Sequence, residues 1–99
     1  MGSRKVKIRR SAAESISRVA WYIESKGLLT TAEKFLDDVY DALAKLGDRR
    51  VSYSSCREKK RNLLGLKCKT FRKKYTIVFF ESEHEIIVHE FLPSKLIRW

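Results

Sequence analysis

The stretch Tyr75-Thr-Ile-Val-Phe-Phe80 constrains this chain most. Its residues favour strands, and it is apolar on both faces, as only a central strand can be. It lies between two further strand patterns. Leu63 to Phe71 alternates, with Leu64, Leu66 and Cys68 on one side and Lys67 and Lys69 on the other. Glu85-Ile-Ile-Val-His-Glu-Phe-Leu92 is the third strand, and Pro93 ends it because proline has no donor for the ladder. Arg72-Lys-Lys74 and Glu81 to His84 supply the turns. The result is an antiparallel meander, and the rest of the chain must cover one of its faces.

The residues before the meander read as that cover. Lys5-Val-Lys-Ile-Arg9 alternates and predicts an edge strand. Ser11-Ala-Ala-Glu14 and Thr30-Thr-Ala-Glu33 both have the capping-box pattern, in which a hydroxyl and a carboxylate satisfy free amides at a helix start. The first helix runs to about Lys26 with Ile16, Val19, Ala20 and Ile23 as its apolar stripe, and Trp21 and Tyr22 flank it toward the neighbouring helix. The second runs to about Leu46, with Ala32, Phe35, Leu36, Val39, Tyr40, Leu43 and Leu46 at helical spacing. Gly27 and Gly47 end the two helices. A connection of about three residues makes the helices antiparallel. Asp48 to Asn62 has no clear period and reads as a loop. The tail Pro93 to Trp99 would dock Leu96, Ile97 and Trp99 on the body or on a partner.

The predicted fold is therefore α+β, in the order β-α-α-β-β-β: a small, twisted, mainly antiparallel sheet with an antiparallel helix pair on one face. The first strand pairs with the central strand or an edge of the meander. At 99 residues the chain is expected to form one domain over 1–99, with Met1-Gly2-Ser3 a cloning remnant and 93–99 a C-terminal tail.

The formal charge of +10 calls for an acidic partner: nucleic acid, an anionic surface or an acidic protein. The charge is concentrated, since 57–74 holds nine basic residues against Glu58 alone. Arg57, Lys59, Lys60, Arg61, Arg72, Lys73, Lys74 and Lys95 are the expected nucleic-acid or acidic-partner residues. No run approaches a membrane span of roughly 18 residues, and the charged start lacks the apolar core of a secretory leader. Cys56 and Cys68 have no metal spacing; Cys68 reads as a buried thiol in a reducing compartment. The two His and two Cys are too scattered for zinc, so neither metal nor cofactor is expected. The expected location is the cytoplasm.

The Lys-Val-Lys-Ile start, the run Ala12-Ala-Glu-Ser-Ile16 leading to Trp21-Tyr-Ile-Glu24, the pattern Thr31-Ala-Glu-Lys-Phe-Leu-Asp-Asp38, the basic stretch and Tyr75–Phe80 together resemble the RelE/ParE superfamily of bacterial toxins, also known as plasmid stabilisation proteins. The resemblance covers nearly the whole chain. It implies the toxin of a type II toxin–antitoxin pair, neutralised by an antitoxin protein. RelE-like members act as ribosome-dependent mRNA endoribonucleases. ParE-like members inhibit DNA gyrase without catalysis, and some homologues have lost activity. The RelE-like role is the first expectation, with the other two as alternatives and a plain basic nucleic-acid-binding module behind them.

In the RelE-like reaction the RNA 2′-hydroxyl attacks the adjacent phosphate, so the site must stabilise phosphorane charge and transfer protons without a metal. Lys67 and Lys69 match that branch's Lys-x-Lys pair. His89, expected on the same strand face as Ile87 and Phe91, is the candidate general base. Lys95 or Arg98 matches its C-terminal basic residue, so the expected catalytic set is Lys67, Lys69, His89 and Arg98. The sequence departs from that branch at Thr76, where an Arg follows the strand-leading Tyr, and it has no C-terminal Tyr.

Overall fold

A computed structural model describes residues 4–97. In chain order the elements are β1 (Lys5–Ile8), α1 (Arg10–Ser25), α2 (Leu29–Lys45), α3 (Lys59–Leu63), β2 (Lys67–Phe71), β3 (Tyr75–Glu81) and β4 (Glu85–Pro93), followed by one 3-10 turn (Ser94–Leu96). The sheet order is β1-β4-β3-β2. β2, β3 and β4 form the expected antiparallel meander, and β1 joins its β4 edge in parallel. The parallel pair requires a crossover, which the α1–α2 hairpin provides while covering one face of the sheet.

The core lies between that hairpin and the sheet. Ala12, Ile16 and Ala20 of α1 and Phe35, Val39 and Leu43 of α2 meet Phe71, Ile77, Phe79, Ile86, Val88 and Phe91 of the sheet. Each of the large side chains contributes roughly 1.5–3 kcal/mol by leaving water. Phe35 is the centre of an aromatic group, with edge-on contacts to Phe71, Tyr75 and Phe91 at centroid distances of 6.1, 5.9 and 6.2 Å.

The helix ends differ from the sequence reading. Neither capping box forms. α1 starts one residue before Ser11, whose hydroxyl instead donates to the His89 carbonyl at 3.3 Å. α2 starts at Leu29 with no side-chain cap, because Leu28 stands at the cap position. Gly27 does stop α1 in the left-handed region, at φ +79°. Gly47 serves a different purpose. It has no positive φ, but a Cβ there would lie 2.5 Å from the Arg4 carbonyl oxygen, so glycine is needed for close backbone approach. Trp21 and Tyr22 do not pack on α2; they are 72% and 60% exposed.

The first meander strand is shorter than expected. Leu63 belongs to α3, and Leu63 and Leu64 are exposed. The Glu58 side chain accepts the Arg61 amide at 2.9 Å and caps α3, while Gly65 at φ +75° turns the chain into β2. The apparent alternation from Leu64 to Cys68 therefore spans a helix end and a strand start.

Residues 48–58 are irregular but anchored. Cys56 and Cys68 are joined by a disulfide, with a Cα–Cα distance of 4.9 Å, which replaces the buried thiol expected at Cys68. The Cys56 amide donates to the Leu66 carbonyl and the Cys68 amide to the Ser54 carbonyl. Cys56, Leu66 and Val78 form a second small core with Cys68 and Leu92, on the sheet face away from the hairpin. The helix pair does not reach that face, which is partly covered by the chain's own 54–66 segment. In the tail, Ile97 is buried and Leu96 exposed. Trp99 lies outside the described residues.

Candidate functional site

Cross-strand pairing fixes which way each candidate side chain points. Lys67 is opposite Phe79 and Lys69 opposite Ile77, so both lysines stand on the hairpin-side face of the edge strand β2. Cys68 and Thr70 point to the other face, beside Val78 and Thr76. Lys67 is engaged: its ammonium donates to the Tyr53 carbonyl at 3.0 Å and reaches the Glu81 carboxylate at 3.3 Å. Arg4 holds the same carboxylate at 2.6 Å. Burial raises the Glu81 pKa, but the Arg4 and Lys67 hydrogen bonds outweigh it and leave the carboxyl below its ordinary value. Lys69 is exposed, with no carboxylate partner among the described residues.

His89 stands elsewhere. The β3–β4 register slips between Val78 and Phe79, which pair with Glu90 and Val88 and leave His89 as the extra residue of a bulge. Across the bulge the facing changes: Ile87 pairs with Phe80 on one face, while Phe91 is in the hairpin-side core. His89 therefore does not share one face with both, as a regular strand would have it. The Arg9 guanidinium donates to His89 Nδ1 at 3.1 Å, so Nδ1 offers its lone pair and the ring proton is on Nε2. Burial, then the Arg9 charge, lowers the His89 pKa. β3 separates β4 from β2, a distance of roughly 10 Å at ordinary strand spacing. His89 and the lysine pair are not brought together. Arg98 lies outside the described residues.

The basic stretch divides into engaged and unengaged cations. Arg61 grips Glu90 with two hydrogen bonds of 2.8 Å and Glu58 at 3.1 Å. These contacts raise the Arg61 pKa and pin α3 to β4. The Arg61 hydrogen bonds likewise hold Glu90 below its ordinary pKa, against a smaller opposing effect of burial. Arg72 pairs with Asp38 and lies over the Phe71 and Phe35 rings at 5.3 and 5.7 Å. Arg61 and Arg72 are thus structural, which their place in a charge run could not reveal. Lys59 and Lys60 are exposed on α3.

Arg57, Lys73, Lys74 and Lys95 are exposed and have no carboxylate partner among the described residues. They line two adjoining depressions. One, of about 480 Å³, is bounded by Ser54, Ser55, Arg57, Cys68, Thr70, Lys73 and Ser94. The next, of about 410 Å³, is bounded by Lys73, Lys74, Tyr75, Pro93, Ser94 and Lys95. Lys73 and Ser94 belong to both. The Ser94 amide donates to the Lys74 carbonyl at 2.8 Å, which sets the 3-10 turn against the β2–β3 turn. The Ser94 hydroxyl meets that of Thr76 at 2.8 Å. Thr76, where the RelE-like branch has Arg, is 1% exposed and supplies no charge. The hydroxyl lining was not visible in the sequence, because Ser54, Ser55, Thr70 and Ser94 come from three separate segments.

Among the described residues no group of three or more His, Cys, Asp and Glu is placed to hold a metal ion, and no helix is long and apolar enough to cross a membrane. Neither a protein-family model nor a curated protein matches the sequence. Among solved structures, a chain of the "Chromosomal ParDE TA system from P. aeruginosa" is similar, with a TM-score of 0.75 and 14% identity over 94% of this chain and 98% of that one. At this identity the likeness establishes the fold: the chain has the RelE/ParE-like α+β fold anticipated from its sequence.

Proposed function

We propose that this chain is the toxin of a toxin–antitoxin pair, neutralised by an antitoxin protein, and that it acts by binding, in the manner of a ParE-type inhibitor of DNA gyrase. The fold supports the toxin reading. One observation favours binding over cleavage: the expected catalytic side chains do not converge. Lys67 is held by Glu81 and the Tyr53 carbonyl, and His89 is held by Arg9 about two strand spacings away. An RNA cleavage site needs its phosphate clamp and its proton carrier within hydrogen-bond reach of one phosphate. Thr76, at the position of that branch's Arg, supplies no positive charge and faces away from the side of the sheet that carries Lys67 and Lys69. A ribosome-dependent endoribonuclease would require Lys67 and His89 to leave their partners.

An antitoxin has apolar surface to cover. Trp21, Tyr22, Leu28 and Leu29 flank the α1–α2 connection and are all at least half exposed. Phe80 and Leu96 are also exposed, whereas Phe91 is 2% exposed and belongs to the core. The cluster at the α1–α2 connection is the surface we assign to antitoxin docking.

The test uses two assays with one protein preparation. Purified chain is titrated into a DNA gyrase supercoiling reaction and, separately, into a purified translation system read by primer extension on the mRNA. Loss of supercoiling with intact mRNA supports the proposal. Ribosome-dependent cuts in the mRNA would refute it and restore the nuclease reading; supercoiling and mRNA both unaffected would identify a toxin homologue without activity.

A further inference from the structure

We propose that the Cys56–Cys68 bond is a thiol-exchange site, at which Cys68 forms a mixed disulfide with a small thiol that carries carboxylates. The proposal goes beyond the toxin reading and does not depend on it. The two halves of the bond have unlike surroundings. Cys56 is 0% exposed and packs with Leu66 and Val78. Cys68 is partly exposed and lines the depression of about 480 Å³ beside the β2–β3 turn. Access decides which sulfur of a disulfide is attacked, so an incoming thiolate reaches Cys68.

The depression selects the thiol by charge. Arg57 and Lys73 line it, both exposed and without a carboxylate partner among the described residues, and none of its lining residues is acidic. The depression beside Arg72, by contrast, contains Asp38 and Asp41 and no cysteine. Thr70 and Ser94 add hydroxyl donors for carboxylate oxygens. The volume falls within the roughly 300–1,000 Å³ of small-molecule sites. Positive charge here draws in an anionic thiol and stabilises the negative charge shared by the attacking, central and leaving sulfurs.

The exchange balances without a further reagent. The attacking thiolate bonds to Cys68 Sγ as the bond from Cys68 to Cys56 breaks. Cys56 Sγ leaves with the bonding electrons. It then takes up the proton that the small thiol gave to solvent on ionising, since its apolar surroundings favour the neutral thiol. The small thiol's sulfur is oxidised and that of Cys56 reduced. Return attack by Cys56 expels the small thiol and restores the bond, so the adduct is reversible. The segment stays in place meanwhile, because the Cys56 amide is bonded to the Leu66 carbonyl and the Cys68 amide to the Ser54 carbonyl.

The experiment follows exchange by intact mass and peptide mapping after acid quenching. Cys56→Ser, treated with oxidised glutathione, is expected to gain one adduct at Cys68. Cys68→Ser is expected to react at Cys56 on the order of tenfold more slowly, as buried thiols do. The oxidised wild type is opened with reduced glutathione or with cationic cysteamine, each rate scaled to thiolate concentration. The ratio of the glutathione rate to the cysteamine rate is expected to fall about fivefold in Arg57→Gln/Lys73→Gln, the size expected of two cations acting at short range through screened solvent. Lys26→Gln/Lys34→Gln removes equal charge elsewhere and should leave the ratio unchanged. Circular dichroism checks that all variants are folded, and the wild-type rates decide the matter if a single-cysteine variant is not. A ratio that falls in neither double variant, or equally in both, would overturn the proposal. So would an adduct that forms at Cys56 as fast as at Cys68, or none at Cys68, which would leave the bond a structural staple alone.

Discussion

Reducing the Cys56–Cys68 bond should destabilise the chain by about 3 kcal/mol. The bond closes a loop of sequence separation 12. In the chain-entropy account, closing a loop of about that length removes roughly 9.5 cal/mol/K from the unfolded ensemble, or about 3 kcal/mol at 25 °C. For a domain of this size each kcal/mol is worth about 4–8 °C in Tm, so a drop of about 15 °C is expected. The folded state should survive, because the Cys56 and Cys68 amides keep their bonds to Leu66 and Ser54. Thermal and urea unfolding of the wild type with and without a phosphine reductant is the direct assay. It retains both sulfur atoms and leaves the small core of Cys56, Leu66 and Val78 filled. Cys56→Ala/Cys68→Ala should fall by about 1 kcal/mol more, because removing a buried sulfur leaves a small void. The reduced protein should also have a larger urea m-value, since its unfolded chain is less restrained. A Tm within about 3 °C of the oxidised protein, with thiol titration confirming reduction, would refute the reasoning.

Gly47→Ala should cost about 1–3 kcal/mol in urea unfolding, because its Cβ meets the Arg4 carbonyl at 2.5 Å and no flexible atom can yield. Glu90→Gln should cost about 1 kcal/mol at pH 7, a figure reduced for screening because the side chain is 39% exposed. The folded Glu90 pKa lies below the ordinary 4.5, so its stabilisation is complete above 4.5 and is lost as pH falls through the folded value. The stability difference between pH 7 and pH 3 should therefore be smaller in Glu90→Gln than in the wild type. The His89 ring, followed by NMR, should titrate below 6.5, and Arg9→Ala should move its midpoint upward by removing the adjacent positive charge. An unchanged midpoint in that variant would show burial to be the sole cause.

Much of the fold could be read from period alone. Tyr75–Phe80 is apolar on successive residues and became the inner strand β3. The stripes of α1 and α2 became the buried residues Ile16, Ala20, Phe35, Val39 and Leu43. What could not be read was set by contacts distant in sequence. α3 has five residues, too few to show a helical period, and depends on Glu58 and on Arg61 reaching Glu90. Two cysteines 12 apart have no spacing signature, so their bond had to be seen in space. A one-residue bulge at His89 changes which face the following residues present, and nothing local marks it. The candidate site followed the same division. Its positive charge was plain in residues 57–74, but which cations are free depends on Asp38, Glu58, Glu81 and Glu90, three of which lie outside that run.

The strand order has a consequence for synthesis. Among the described elements β1 is made first, and the strand it pairs with, β4, is made last of the four strands. Until β4 is made, β1 has no strand to bond with and the apolar stripes of α1 and α2 have only the β2–β3 hairpin to lie on. The nascent protein must carry part of that surface uncovered until residues 85–93 arrive, when the sheet can close. Pairings of such long sequence separation form slowly, because the loop entropy must be overcome before any contact rewards it. This interval is when the growing chain is most exposed to aggregation, and when a chaperone or an early-binding partner would have most to protect.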